Sequence, residues 1–425
     1  MTLTKGNSAR ITWFFYGTLV ASYFLANLTR SSTGVAMPSL ALSMGMGAST
    51  VGLVTSLYFY AYTMVQPVSG MMCDRKGPLL SCGMGLLLLS VGIAVFAFAP
   101  SPFFLGLGRF LSGLGAAAAF NGTLVYQANA FPRERYAVLA AASVTVGHFG
   151  GVVAVTPLGM MLDAWGRTGA FGIIAAAALL LGITMLFGHR RDPVLARKRD
   201  ERLATARPPV SFWSGFRILI TSRPLMVITA IWSTCLSLQM TLVALWGVSW
   251  LSQGCGFPVH IARRSMSLVG IGVMVGAQLG GWIGTRFRGS RNALLSICAG
   301  VSLSLLGFLA VTSRYPQAGF LSLISLVLGI FLGACNVTCN SNLNETVDRE
   351  VIGSAVGAVN TVIFLSVMLC QFASGIVLGF FKGGSPGSYS LSGYLTVFFL
   401  ILLVFGVSVL PLLRIRSFRR ERSTV

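Results

Sequence analysis

A chain of 425 residues that is 55% hydrophobic and only 10% charged cannot be wetted all round. Soluble domains carry roughly 25% charge, so lipid has to solvate much of this surface. The net charge of +21 falls in short clusters between apolar runs, which excludes a nucleic-acid partner and reports membrane orientation instead.

Apolar runs long enough to span a bilayer, about 20 residues each, lie at 11–37, 48–72, 79–99, 102–128, 137–161 and 169–188, then at 223–250, 265–285, 292–312, 318–341, 352–381 and 391–413. Lys5 and Arg10 precede the first run. That run is too long for a signal-peptide core and lacks a small-residue cleavage site, so it reads as a retained first membrane helix. Between the two sets stands a basic stretch beginning HRRDPVLARKRDERLATARPP, which cannot lie in lipid. The expected organisation is all-α: an N-terminal six-helix bundle over 1–188, a cytoplasmic basic linker over 189–222, and a C-terminal six-helix bundle with a basic tail over 223–425. With the N-terminus inside, 24 of the 31 Lys and Arg fall on the inner side and 5 on the outer. Positive charge stays on the cytoplasmic side, so both termini are expected there, in the inner membrane of a bacterium.

The halves repeat. GMMCDRKG, from Gly70 to Gly77, follows the second run, and GWIGTRFRG, from Gly281 to Gly289, follows the eighth. FPRERYAVLAAAS after the fourth run and VDREVIGSAVGAV after the tenth share an Arg-Glu pair followed by small residues. A half-chain period is what a duplicated bundle requires. The eight Cys form no disulfide framework: seven fall in apolar runs or beside inner loops, and only Cys255 sits in a predicted outer loop. Cys335 and Cys339, at i and i+4, offer a soft-metal pair with no third ligand nearby, and buried free thiols explain them as well.

Gly70, Asp74, Arg75 and Gly77, with Arg109, Gly113 and Gly115 in RFLSGLGAAAA, resemble the two signatures of the major facilitator superfamily. The resemblance implies twelve transmembrane helices as two six-helix bundles related by a pseudo-two-fold axis. It implies a gating role for Asp74 and Arg75 and a bracing or substrate-contacting role for Arg109. The first run, YFLANLTRSSTGVAMP, looks like the organic-anion branches, the organophosphate antiporters and anion:cation symporters, where an Arg before Ala-Met-Pro enters the central cavity; here these are Arg30 and Ala36-Met37-Pro38. His148 before Gly150-Gly151 resembles the organophosphate group's cavity His. Two departures matter. Met240 stands where that group has a second cavity Arg, and Thr29 and Ala116 stand where the symporters carry acids.

Read from the residues alone, Arg30 is the sharpest feature. A charge deep in a membrane helix costs at least about 2.5–3.5 kcal/mol, so it stays only beside a wet cavity or a partner. Tyr23, Asn27, Arg30 and Gly34 recur at i, i+4, i+7 and i+11, predicting one polar face with no acid on it. An anionic substrate supplies the missing charge in one reading; backbone carbonyls do so in the other. His148 is expected to serve as a titrating switch, a bond to the anion, or a neutral side chain bonded to backbone. Tyr58 and Tyr62, Gln239 and Trp246, Gln278, Asn336 and Asn360 are the remaining candidate pocket groups; helix–helix glue is the competing account of each.

The expected function is alternating-access transport of a small organic anion, as a symporter or antiporter, with Arg30 as anchor and a proton or counter-transported anion as the coupled species. No catalytic constellation, cofactor or metal site is expected, and the protein is expected to act as a monomer in the bilayer. The rival readings are an efflux carrier for drugs or hydrophobic compounds, a transporter-like sensor, and a copper or other soft-metal importer through Cys and Met residues such as Met240, Met266 and Met274.

Overall fold

The computed structural model describes residues 5–192, 212–287, 290–314, 318–347, 352–383 and 388–415. Within these, regular structure is helical apart from one isolated bridge between Lys382 and Tyr389. In lipid a helix is the natural answer, because it satisfies its own backbone groups.

The first run divides into α1 (Lys5–Ser31) and α2 (Thr33–Ser43). α3 (Ala48–Lys76), α4 (Pro78–Ala97) and α5 (Pro102–Ala130) follow. Pro78 and Pro102 each open a helix, where a missing N–H costs nothing, and Gly77 turns the chain ahead of Pro78 at φ 96°. The predicted fifth run is likewise broken at Ala154–Val155. Its first part is α6 (Arg133–Val153) and its remainder opens α7 (Thr156–Gly188). α7 is kinked at Gly166, whose φ of 65° no β-carbon tolerates well. Ten helical stretches among the described residues combine the length and apolarity needed to cross a membrane. α3 is long but studded with hydroxyl and amide side chains, and the apolar part of α6, Val138–Val153, is shorter.

A short helix, α8 (Phe212–Thr221), occupies the end of the stretch expected as linker. Its Phe216 and Ile218 pack on a core of Leu225, Leu343, Ala355 and Val359, while Trp213 and Ile220 face outward, 75% and 67% exposed. α9 (Arg223–Thr241) then runs into a π-helical turn at Leu242–Trp246, an α-turn at Gly247–Ser249 and a second π-turn at Trp250–Gly254. α10 (Val259–Arg286), α11 (Arg291–Arg314), α12 (Ala318–Thr346), α13 (Ile352–Gly379) and α14 (Leu391–Val409) complete the chain. All eight cysteines are free thiols. Burial pushes the thiol of Cys255 up to about 11, so it stays protonated at neutral pH.

Two compact units emerge. One comprises 1–30, 57–154 and 160–209. At one end of it, polar side chains tie helices together: Tyr16 Oη lies 2.9 Å from Ser143 Oγ, and Tyr126 Oη donates to Asp192 Oδ1 at 3.3 Å.

The other unit comprises 31–56, 155–159 and 210–425, so it takes in α2 and the start of α3. Its tightest seam joins α10 to α12, where Gly272, Gly276 and Gly280 meet Gly329, Ile330 and Ala334. A β-carbon on Gly276 would lie 2.7 Å from the Ile330 carbonyl carbon and 2.8 Å from its Cα. Gly276→Leu is therefore expected to cost about 3 kcal/mol or more, read as a lower midpoint of thermal unfolding in detergent. In the same unit the Thr33 hydroxyl donates to the Ala244 carbonyl at 2.8 Å, and Gly34 sits flush against Val243 and Ala244.

Candidate functional site

The site in the first unit grows from the end of α1. Thr29-Arg30-Ser31-Ser32-Thr33 places four hydroxyl side chains around one Arg, and such side chains compete with the helix for backbone groups. α1 stops at Ser31, and the regular i→i−4 ladder ends with it, so its last carbonyls can take donors from elsewhere. Arg109 of α5 supplies them. Its Nη1 donates to the Thr29 carbonyl at 2.7 Å and its Nη2 to the Arg30 carbonyl at 3.3 Å. A cation at a helix C-terminus also meets the negative end of the dipole. The same guanidinium lies 4.5 Å from the centroid of the Tyr58 ring, and Tyr58 Oη donates to the Ala26 carbonyl at 3.2 Å. Arg109 is only 2% exposed. Every one of these contacts is to the scaffold.

Arg30 is left half-buried with its guanidinium pointing elsewhere. One Nη donates to Asn27 Oδ1, and Asn27 Nδ2 donates to the Tyr23 carbonyl at 2.9 Å; the buried Arg30 Nε has no partner. The charge acts on the hydroxyls of Tyr23, Tyr58 and Tyr62 and on the His148 ring. Tyr58 and Tyr62 stack at 6.2 Å with 13° between planes, and Tyr23 packs on Phe120 at 5.1 Å. α6 comes close because Gly147 lies against the Tyr23 ring and Gly150 against the Phe24 carbonyl. That approach brings His148 within electrostatic reach of Arg30, with its Nδ1 unpartnered. None of the chain's ten acids falls in an apolar run.

The structure thus gathers Tyr23, Asn27, Arg30, Tyr58, Tyr62 and His148. It divides the predicted face at Gly34, which lies beyond the helix break and belongs to the second unit. There, Asn336 Nδ2 donates to Gln239 Oε1 at 2.6 Å, and Asn336 Oδ1 is unpartnered. Trp246 is buried in an aromatic cluster. Its Nε1 donates to Ser374 Oγ at 2.9 Å, and its ring meets those of Tyr389 and Tyr394 at 6.2 and 6.4 Å. Asn360 is half-buried on α13 and Gln278 is exposed on α10. Met240 is buried and its carbonyl accepts from Gln371 Nε2 at 3.3 Å. Of the loop signature, Gly70 and Gly77 bracket the end of α3, while the side chains of Asp74 and Arg75 lie outside those described. Gly113 lets α5 rest on the Tyr58 carbonyl. Sequence reading missed Phe120, and also Gln66 and Asn121, whose amides bond at 3.2 Å.

The sequence profile of the Major Facilitator Superfamily matches residues 19–371. The chain belongs to the major facilitator superfamily. It is a multi-pass membrane transporter of this superfamily and not an enzyme. Among superfamily relatives, the membrane sensor protein UhpC of Salmonella typhimurium (strain LT2) is 25% identical over 434 residues, spanning 96% of this chain and 92% of its own. The gentisate transporter of Corynebacterium glutamicum is 23% identical over 333 residues, 76% of this chain and 72% of its own. The crystal structure of a bacterial homologue of the human lysosomal transporter Spinster superposes with a TM-score of 0.76 over 97% of this chain and 99% of that one; at 14% identity this likeness concerns the fold.

Proposed function

We propose that the protein carries a small organic anion across the cytoplasmic membrane of a bacterium, with Arg30 as the anchor. One observation carries this reading: of the two guanidiniums deep within the apolar runs, Arg109 gives both Nη groups to helix carbonyls, while Arg30 gives one Nη to Asn27, and the sequence places no carboxylate within an apolar run. A buried charge that lacks a resident counter-ion recruits one. Relatives named for gentisate and sulfoacetate, both anions, support the class. Two halves, 1–188 and 223–425, rock about the site by alternating access, the basic linker and both termini lying in the cytoplasm.

A thermal-shift screen of the purified protein against carboxylates, sulfonates, phosphates and amino acids tests the anchor. Ligand at about a hundred times its Kd stabilises by about 2.7 kcal/mol. Arg30→Ala is expected to erase every anion response while the unliganded midpoint hardly moves. An anion that stabilises Arg30→Ala as well as wild type ends the proposal. The UhpC relative, named a membrane sensor, favours a second reading in which the anion is bound and not moved. Uptake of a screened anion into proteoliposomes distinguishes the two: accumulation excludes the sensor, and binding without flux excludes the carrier. Imposing a proton gradient, or loading anion on the far side, then reads out the coupling.

A further inference from the structure

Resting on that reading of Arg30, we infer that its ligand is a monoanion: a single carboxylate borne on a flat ring. Its support is twofold, one part charge and one part shape.

The chain has four lysines, Lys5, Lys76, Lys198 and Lys382, and none lies in a predicted span. Arg109 donates to two carbonyls and covers the Tyr58 ring. Of the cations deep in the predicted spans, Arg30 is the one whose Nη groups are not both held by backbone carbonyls, and Asn27 takes one of its donors. A phosphate monoester or a dicarboxylate would bring a second negative charge into low dielectric with no fixed partner, where an unpaired charge is very costly. One carboxylate matches one planar guanidinium.

Aromatic rings gather near the Arg30 guanidinium. Tyr23 packs on Phe120, and Tyr62 stacks on Tyr58, so two ring pairs flank the same charge. Tyr23, Phe120, Arg30 and His148 are all partly exposed, so ring faces and donors are presented to a ligand together. Rings prefer offset or edge-on contact with other rings, worth about two- to tenfold in affinity beyond area alone. The unpartnered His148 Nδ1 then suits a ring bearing a hydroxyl or keto group.

The test uses the full-length purified protein at pH 8, above the ordinary imidazole range, so that His148 brings no second charge. Thermal shift gives apparent Kd values for benzoate, cyclohexanecarboxylate, acetate, phthalate and phenyl phosphate. Benzoate is expected to bind best. Cyclohexanecarboxylate, with the same charge but no flat ring, is expected about tenfold weaker, and the two dianions weaker still. Phe120→Leu should narrow the gap between benzoate and cyclohexanecarboxylate without removing either response. Equal binding of benzoate and the two aliphatic acids would overturn the ring. Phthalate or phenyl phosphate binding tighter than benzoate would overturn the single charge. Silence from every anion would instead overturn the anion carrier itself. The wild-type series decides all three, whether or not the Phe120 variant folds.

Discussion

Arg109→Met is expected to abolish transport while leaving the protein folded. Two energetic terms of similar size oppose each other. Removing the charge relieves a burial cost of about 2.5–3.5 kcal/mol. It also removes the hydrogen bonds that Arg109 gives to the Thr29 and Arg30 carbonyls, at about 1–3 kcal/mol each. Net stability should therefore shift by only about 1–2 kcal/mol, within reach of a folded, extractable protein. Position is another matter. The carbonyls that Arg109 holds belong to Arg30 itself and to the residue before it, so the anchor loses its fixed seat. A displacement of about 1 Å can cost a hundredfold, and a loss of that order is expected in both anion affinity and flux. Arg109→Lys should recover little, because an ammonium cannot bridge both carbonyls and lie flat over Tyr58. Paired measurements of midpoint, apparent Kd and proteoliposome uptake settle it. A Met variant that transports normally would show that α1 keeps its end without the brace.

Gly34→Val is expected to separate binding from movement. A β-carbon there would overlap the Val243 carbonyl and lie 3.1 Å from the Ala244 carbonyl carbon. α2 would have to withdraw, and the Thr33 bond to Ala244 would go with it. Overpacking of this kind costs about 1–3 kcal/mol, spent in the second unit, away from Arg30. Anion binding should survive within a few-fold while uptake falls by about a hundredfold, since one of two alternating states is removed. Met37, 1% exposed and next to this seam, supplies the readout: Met37→Cys should resist maleimide in the parent and react in the Gly34→Val background. Unchanged labelling together with normal uptake would mean the seam still closes around the valine, and the prediction fails.

Much of this was legible in the sequence because lipid writes in long apolar runs. The spans, their order and the isolated charge at Arg30 needed no partner to be seen. Arg109 was visible as a second intramembrane charge, but not its target, because Thr29 lies 80 residues away. The predicted polar face from Tyr23 to Gly34 assumed one continuous helix; the hydroxyl-rich stretch around Arg30 ends it after 31. Phe120, set in an alanine run, reads as core filler until Tyr23 is seen upon it. Gln278 reads as a pocket amide until α10 is seen to pack through Gly272, Gly276 and Gly280, which turns that side chain to the other face. Asn336 and Gln239 are 97 residues apart, so their pairing leaves no local trace.

The π-turn at Leu242–Trp246 carries a lesson for comparing this helix with its relatives. Each wide turn takes up one residue more than an α-turn, and every position beyond it is rotated by about 100° against an uninterrupted helix. Counting back from Trp246 to find the counterpart of a second cavity arginine crosses that turn, so a match by count and a match by direction differ by one register step. By count the counterpart is Met240; one step either way it is Gln239 or Thr241. None of the three is cationic, so the tally of one available guanidinium holds in whichever register the helix is laid against another.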